Sequence, residues 1–255
     1  MKVSSHWIIL FFLILGMSCK KGPDKEETTA EDPQQHIIIK RRDDGTLSSV
    51  NQIDDMGIVH GIRVTYYPDG KTVFSRLTLE HGIKNGPFIR YYKNGQIFEH
   101  TGYKDGKKHG LTRKYYKNGC LLAEFEYRNG NILPGLKEYR MDGTLVTDYP
   151  EICFEMEDHL KDRNRVDLRI YSDPKISGIK YYLKQEESEH ESRIYLISEN
   201  GSALIQRYVK PGNTLHQKIE IIAEIPTELG NVLVKDLSHD LTVNNPYLST
   251  PGKDL

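Results

Sequence analysis

Few side chains in the sequence lie at spacings that enzymes use. Ser238-His239-Asp240 contains the three residue types of a nucleophilic triad, but a triad is assembled from separate parts of a fold, and three neighbours in one segment cannot adopt its geometry. We therefore interpret this tripeptide as a surface turn. Two acidic clusters, Glu155–His159 and Glu187–Glu191, lack a recognised metal-ligand spacing. The sequence thus predicts no catalytic residue, no metal site and no cofactor.

Paired tyrosines next to basic residues indicate binding rather than catalysis. The pairs are Tyr66-Tyr67, Tyr91-Tyr92 and Tyr115-Tyr116, and Tyr139-Arg140 ends the series. Neighbouring residues in a strand face opposite sides of the sheet. We expect the first member of each pair to face inward, in step with the apolar residues before it. We expect the second member to face outward, because a buried site would tolerate arginine poorly.

The second tyrosines and two nearby cations form a candidate binding surface. Its residues are Tyr67, Tyr92, Tyr116, Arg90 and Lys114. A row of rings and cations could bind a glycan, a peptide or an anionic partner. The alternative is that the rings stack across strands and only stabilise the sheet.

Cys19 follows an N-terminal segment that differs in composition from the rest of the chain. Lys2 precedes an apolar run from Trp7 to Leu15, which is too short to span a membrane, and small residues before Cys19 are typical of a cleavage site. The segment resembles a bacterial lipoprotein signal peptide, residues 1–18, after which Cys19 is lipidated. The alternative is an ordinary secretory signal with an incidental cysteine. The resemblance implies a membrane anchor in the cell envelope, on the outer membrane, facing the periplasm or the cell surface.

The residues after Cys19 are predicted to be a flexible tether. Residues 19–35 are polar and include two prolines, a composition that cannot form a core. Only Cys120 and Cys153 then remain as thiols. We expect Cys120 to face solvent and both thiols to be free, although the sequence leaves open a disulfide between them.

Recurring glycines define the elements that must position the tyrosines. Turn glycines recur every 24 or 25 residues, at Gly45, Gly70, Gly95, Gly119 and Gly143. Asn-Gly and Asp-Gly supply the positive φ angles of tight hairpin turns. A fixed period of this length indicates a repeat architecture. We therefore predict a stacked array of β-hairpins over residues 36–149.

The best copies of the repeat are Gly86–Gly95 and Gly110–Gly119, each with a tyrosine pair before Lys-Asn-Gly. They resemble the MORN-variant repeat, which implies a hairpin array. The repeat also resembles bacterial proteins labelled YwqK-like antitoxins, which implies an alternative role in neutralising a toxin. Copies at both ends depart from the pattern, as terminal repeats usually do.

A different pattern of short alternating strands begins after residue 150. The apolar alternation covers Val166–Ile170, Ile179–Leu183, Arg193–Ser198, Ala203–Val209, Lys218–Ala223 and Asn231–Lys235. Asn200-Gly201 is a strong hairpin signal between two of them. The predicted fold class is all-β, with the MORN-like array followed by a small β-sandwich-like domain over residues 150–255.

Charge and composition narrow the function classes. The net charge is only −1, so nucleic acid is not an expected partner. The function that these observations favour is a non-catalytic envelope lipoprotein that binds a protein or glycan through its repeats. Two alternatives are an antitoxin-like or immunity protein and an envelope hydrolase. The hydrolase would need convergent carboxylates, which the sequence does not place in register.

Overall fold

The computed structural model describes residues 36–185 and 192–247. The predicted signal segment, Cys19, the tether and the cluster Glu187–Glu191 lie outside the described residues. Among the residues that are described, no helix is both long and apolar enough to cross a membrane.

The N-terminal part is one antiparallel sheet of ten strands. The strands are β1 His36–Arg41, β2 Leu47–Ile53, β3 Val59–Tyr66, β4 Val73–Glu80, β5 Ile83–Tyr91, β6 Ile97–Lys104, β7 Lys107–Tyr115, β8 Leu121–Arg128, β9 Asn131–Ile132 and β10 Lys137–Glu138. Strands β1 to β8 pair in chain order, and both β9 and β10 pair with β8. The predicted hairpin array is therefore confirmed.

The turns that contain the recurring glycines share one local geometry. All five glycines have positive φ: Gly45 at +79°, Gly70 at +64°, Gly95 at +84°, Gly119 at +85° and Gly143 at +87°. In the turn at Gly95, the Gly95 amide donates to the Tyr92 carbonyl and the Tyr92 amide donates to the Gln96 carbonyl. The second tyrosine of the pair is therefore the first residue of the turn.

A β-bulge accompanies the turns at Gly70, Gly95 and Gly119 and breaks the simple alternation of faces. Register shifts separate Thr65 from Tyr66, Arg90 from Tyr91 and Lys114 from Tyr115. One residue on the following strand is left without a pair at each shift: Phe74, Phe98 and Leu122. A bulge bends the strand and re-aims a side chain. The tyrosine pairs therefore do not follow the two-residue period of a regular strand.

The C-terminal part contains two further four-stranded antiparallel sheets. Its elements are β11 Glu151–His159, α1 Leu160–Arg163, β12 Arg165–Asp173, β13 Lys180–Gln185, β14 Ser192–Leu196, β15 Ser198–Glu199, β16 Ser202–Tyr208, β17 Thr214–Pro226 and β18 Val232–Asn244. The orders are β11-β12-β16-β15 and β14-β13-β17-β18. We call these two sheets the C-terminal unit.

The expected strand Arg193–Ser198 is divided between the two sheets. Strand β14 pairs with β13, whereas β15 pairs with β16 in the other sheet. The chain changes sheet at Ile197, whose residue surface is 80% exposed. Asn200 and Gly201 do form the predicted hairpin turn, with φ of +51° and +76°.

One apolar core extends across the boundary that the sequence places near residue 150. Leu168 and Ile170 from one sheet and Ile219 and Ile221 from the other are buried in it. Side chains of β8 and of the segment after it belong to the same core: Ala123, Phe125 and Leu136. The repeat sheet and the C-terminal unit are thus packed together.

Candidate binding surface

The two tyrosine rows do not divide into a buried row and an exposed row, so the facing expected from the sequence is wrong. Tyr115 is buried, with 4% of its surface exposed, but Tyr66 and Tyr91 are only half-buried. Tyr67, Tyr92 and Tyr116, expected to face outward, are half-buried as well. The bulge before each pair turns both side chains away from regular alternation.

The second tyrosines form a ladder of hydrogen bonds between successive hairpins. Tyr67, Tyr92 and Tyr116 donate their hydroxyls to the carbonyls of Tyr91, Tyr115 and Tyr139, each at 2.8 Å. We call these three bonds the tyrosine ladder. Burial raises the pKa of both Tyr92 and Tyr116. Each hydroxyl therefore holds the neighbouring hairpin in register.

Arginine takes the place of tyrosine at both ends of the ladder. Arg42 donates to the Tyr66 carbonyl at 2.7 Å, which is the same bond one hairpin earlier. Arg140 has no following hairpin and pairs instead with Asp148 at 3.1 Å. The arginine that suggested an exposed row is therefore an end effect of the repeat.

The bulge residues and the tyrosines line a shallow notch between hairpins. Phe74 packs edge-on against Tyr67 with ring centroids 5.1 Å apart, and Phe98 packs likewise against Tyr92 at 5.0 Å. The notch has a volume of about 170 Å³ and is lined by Tyr67, Phe74, Arg90, Tyr91, Tyr92 and Phe98. We call it the aromatic notch. It brings together three of the five predicted binding residues.

The cation in the aromatic notch is held by an ion-pair network. The Arg90 guanidinium lies 4.4 Å from the centre of the Phe98 ring and pairs with Glu99 at 2.8 Å. Lys108 pairs with the other Glu99 oxygen at 3.1 Å. Burial alone would lower the pKa of Lys108, but the Glu99 carboxylate raises it. A buried carboxylate flanked by two cations is a stable arrangement only while both partners are present.

Repeat symmetry places Lys114 and Leu122 at the positions of Arg90 and Phe98, one hairpin further along. There the C-terminal unit covers the sheet. Lys114 donates to the Asn231 side chain at 2.6 Å, and Leu122 packs against the shared core. Burial lowers the pKa of Lys114. Lys114 is therefore an internal contact and does not belong to an exposed binding surface.

A buried glutamate extends the same internal interface. Glu138 is 1% exposed, and its Oε1 accepts hydrogen bonds from Thr227 at 2.7 Å and from the Asn231 amide at 2.6 Å. Its Oε2 accepts one from Tyr149 at 3.0 Å. Thr227 and Asn231 lie in the turn between β17 and β18. The repeat sheet thus binds a folded β-hairpin through the position equivalent to the aromatic notch.

Sequence reasoning missed Phe74 and Phe98, which line the aromatic notch, and Glu99, which pairs with its arginine. The two phenylalanines are one period apart, since they are separated by 24 residues. The recurring aromatic residue eight positions before Gly106 and Gly82 was therefore a usable signal. The orientation of these phenylalanine side chains could not be predicted, because the bulge that sets it is visible only in the pairing of the strands.

The Ser238-His239-Asp240 tripeptide does not have the geometry of a nucleophilic triad. Ser238, His239 and Asp240 lie within β18 instead of a surface turn, and His239 stacks on Phe154 at 4.8 Å. Because strand residues alternate, His239 faces away from its two neighbours. Among the described residues, Cys153 is a free, half-buried thiol and so does not bridge to Cys120. Cys120 is buried, at 8% exposure, and not solvent-facing as expected.

A larger groove of about 970 Å³ lies on the C-terminal unit. Its lining includes Glu155, Arg169, Tyr195 and Leu204, and its described lining contains no histidine or cysteine. Arg169 is paired with Glu157 at 2.6 Å.

The comparison with known families agrees with the repeat geometry. Residues 84–105 and 108–132 match the model of the MORN repeat variant. These two segments cover nearly all of strands β5 to β9. They contain four of the residues that line the aromatic notch, namely Arg90, Tyr91, Tyr92 and Phe98. No curated protein and no solved structure matches the chain.

Proposed function

We propose that this chain is a non-catalytic binding protein that is anchored to a bacterial envelope membrane through Cys19 and captures a protein partner in the aromatic notch. One observation carries the proposal. The same position of the repeat, one hairpin further along, already binds folded protein, namely the β17–β18 turn of the chain itself. The aromatic notch offers a second copy of that position with no described part of the chain inserted.

The chemistry of the aromatic notch supports a protein partner more than a glycan. Phe74 keeps 37% of its surface exposed beside Tyr67 and Arg90. Exposed aromatic residues with an arginine are the residue types that concentrate binding energy at protein interfaces. An apolar or aromatic side chain of the partner would pack on Phe74 and Phe98. An immunity role would be one case of this activity, in which the partner is a toxin.

The binding proposal is tested by capture from envelope membranes with the full lipidated chain. Phe74→Ser removes a ring that packs on Tyr67 but forms none of the ladder hydrogen bonds, so the captured partner should be lost while the chain stays folded. The matched control is Leu111→Ser, which removes an apolar residue of similar exposure, 46%, from the opposite face of the sheet. Loss of the partner in the control, or its retention in Phe74→Ser, would contradict the proposal.

The anchor is tested separately, because it rests on the signal-peptide resemblance of the N-terminal segment. Cys19→Ala should abolish incorporation of radioactive palmitate and move the protein from the membrane fraction to the soluble fraction. Cys153→Ala is the matched control, since it removes a thiol from the folded part of the chain. Labelling that persists without Cys19 would refute the lipid anchor and leave the binding proposal untouched.

A further inference from the structure

Three metal-ligating side chains meet at one edge of the repeat sheet, away from the aromatic notch. The Asp54 carboxylate lies 3.1 Å from Nδ1 of His81. The His60 and His81 rings stack at a tilt with centroids 4.6 Å apart. One ligand atom from each of the three residues lies within 4.8 Å of the others. Two imidazoles and one carboxylate are a ligand set that proteins use for zinc and similar transition metals.

An unusual turn brings the carboxylate to this edge. Strands β2 and β3 are joined by the five residues 54–58, whereas β4 and β5 are joined by His81 and Gly82 alone. In the longer turn, one Asp54 oxygen accepts the amides of Met56 at 3.0 Å and Ile58 at 2.9 Å. These bonds leave the other Asp54 oxygen directed at His81. The carboxylate is therefore held in place.

The later hairpins lack this combination, although they share the backbone. The Gly82 amide donates to the Val59 carbonyl beside His60, and the Gly130 amide donates to the Lys108 carbonyl beside His109. The residue before the turn glycine is His81 in the first of these turns. It is Asp105 before Gly106 and Asn129 before Gly130. Asn129, Asp105 and His81 all have φ near +50°, at +50°, +49° and +44°. Asparagine, aspartate and histidine are the residue types enriched in this conformation, so the turn accepts histidine at position 81, where the repeat otherwise has aspartate or asparagine, without a change of backbone.

We propose that Asp54, His60 and His81 bind one divalent transition-metal ion of the zinc class. Ligand atoms around a tetrahedral zinc ion lie about 3.3–3.5 Å apart, since each is about 2.0–2.1 Å from the metal. The Asp54–His81 pair, at 3.1 Å, is a few tenths of an ångström closer than this spacing. The His81 side chain is 58% exposed and His60 is exposed, so both rings can turn toward the ion. Water completes the coordination from the open side.

The test uses the untagged full chain and Co²⁺ as an optical probe, followed by Zn²⁺ in competition with a chromophoric chelator. We expect one equivalent of Co²⁺ to give visible ligand-field bands without a near-ultraviolet thiolate band, and Zn²⁺ to displace it. Imidazole binds metal only when unprotonated, so binding should be weaker at about pH 5.5 than at about pH 7.5.

Two ligand variants and one control decide the assignment. His81→Asn restores the asparagine that the equivalent turn uses, so the fold is kept, and it should weaken Zn²⁺ binding at least about tenfold. His60→Ala should do the same. His216→Ala removes another exposed histidine from β17 and should leave binding unchanged. The proposal is overturned if the wild-type chain binds no Co²⁺, if a thiolate band appears, or if the control weakens binding as much as the ligand variants.

Discussion

At the scale of the residue, the tyrosine pairs connect successive hairpins by hydrogen bonds, a role that their spacing in the sequence does not predict. The hydroxyls of Tyr67, Tyr92 and Tyr116 satisfy carbonyls on the next hairpin and so fix the register of the array. A carbonyl left without a partner in a half-buried site costs free energy. The binding that we propose therefore uses the residues that pack beside the tyrosines, above all Phe74, and not the tyrosine hydroxyls.

Removal of a ladder hydroxyl should destabilise the fold without removing a ring. Tyr92→Phe and Tyr116→Phe each lose one hydrogen bond, so we expect the free energy of unfolding to fall by about 0.5–1.5 kcal/mol in each variant. Denaturant unfolding of the full chain measures this. Tyr208→Phe is the control, because Tyr208 is 62% exposed and its change should stay within about 0.5 kcal/mol. Equal effects in all three variants would mean that the ladder bonds contribute nothing specific.

The ladder also gives stability a dependence on alkaline pH. Burial raises the pKa of Tyr92 and Tyr116 in the folded chain above the unfolded value. Their contribution is fully present below about pH 10, the value for unfolded tyrosine, and is lost as the pH rises through the folded pKa. The Tyr→Phe variants should therefore lose less stability than the wild-type chain at alkaline pH.

At the scale of the element, the glycine turn and the bulge work together. The turn at Gly95 has φ of +84°, and apart from its chain neighbours no heavy atom of the described residues lies within 4 Å of the position that a Cβ would take. The cost of a side chain there is therefore backbone strain and not a clash. The bulge opposite Arg90 and Tyr91 then aims Phe98 into the aromatic notch.

Two substitutions at Gly95 measure how much stability depends on the positive φ of this residue. Gly95→Val should destabilise the array by about 1–3 kcal/mol, because a β-branched residue is rarely found at positive φ. Gly95→Asn is the matched control, since asparagine tolerates this conformation and should cost less. Thermal melts of the full chain compare the two. The same midpoint for Val and Asn would show that positive φ at residue 95 is not the constraint.

Sequence periodicity was sufficient for the hairpin array but not for the orientation of its side chains. The spacing of Gly95 and Gly119 predicted turns because only a few residue types accept positive φ. The facing of Tyr92 failed because one unpaired residue, Phe98, shifts the register of its strand. The cluster of Asp54, His60 and His81 escaped prediction because its members belong to three elements and meet only after the sheet has formed.

At the scale of the whole molecule, the repeat sheet and the C-terminal unit share one core and one polar network. Glu138 and Lys114 of the sheet bond to the same side chain, Asn231 in the β17–β18 turn. The C-terminal unit thereby covers one copy of the repeated surface, and no described part of the chain is inserted into the aromatic notch, one hairpin away. The intramolecular contact is a direct example of the docking that we propose between molecules.

Site-specific photo-crosslinking tests this central claim most directly. A photoreactive benzoyl-phenylalanine at position 74 of the full-length, membrane-anchored protein replaces one aromatic ring with another inside the aromatic notch. The same residue at position 111 on the opposite face is the control. We predict that irradiation of intact cells yields a discrete protein adduct from position 74 and none from position 111. No adduct at position 74, or the same adduct from both positions, would contradict the account.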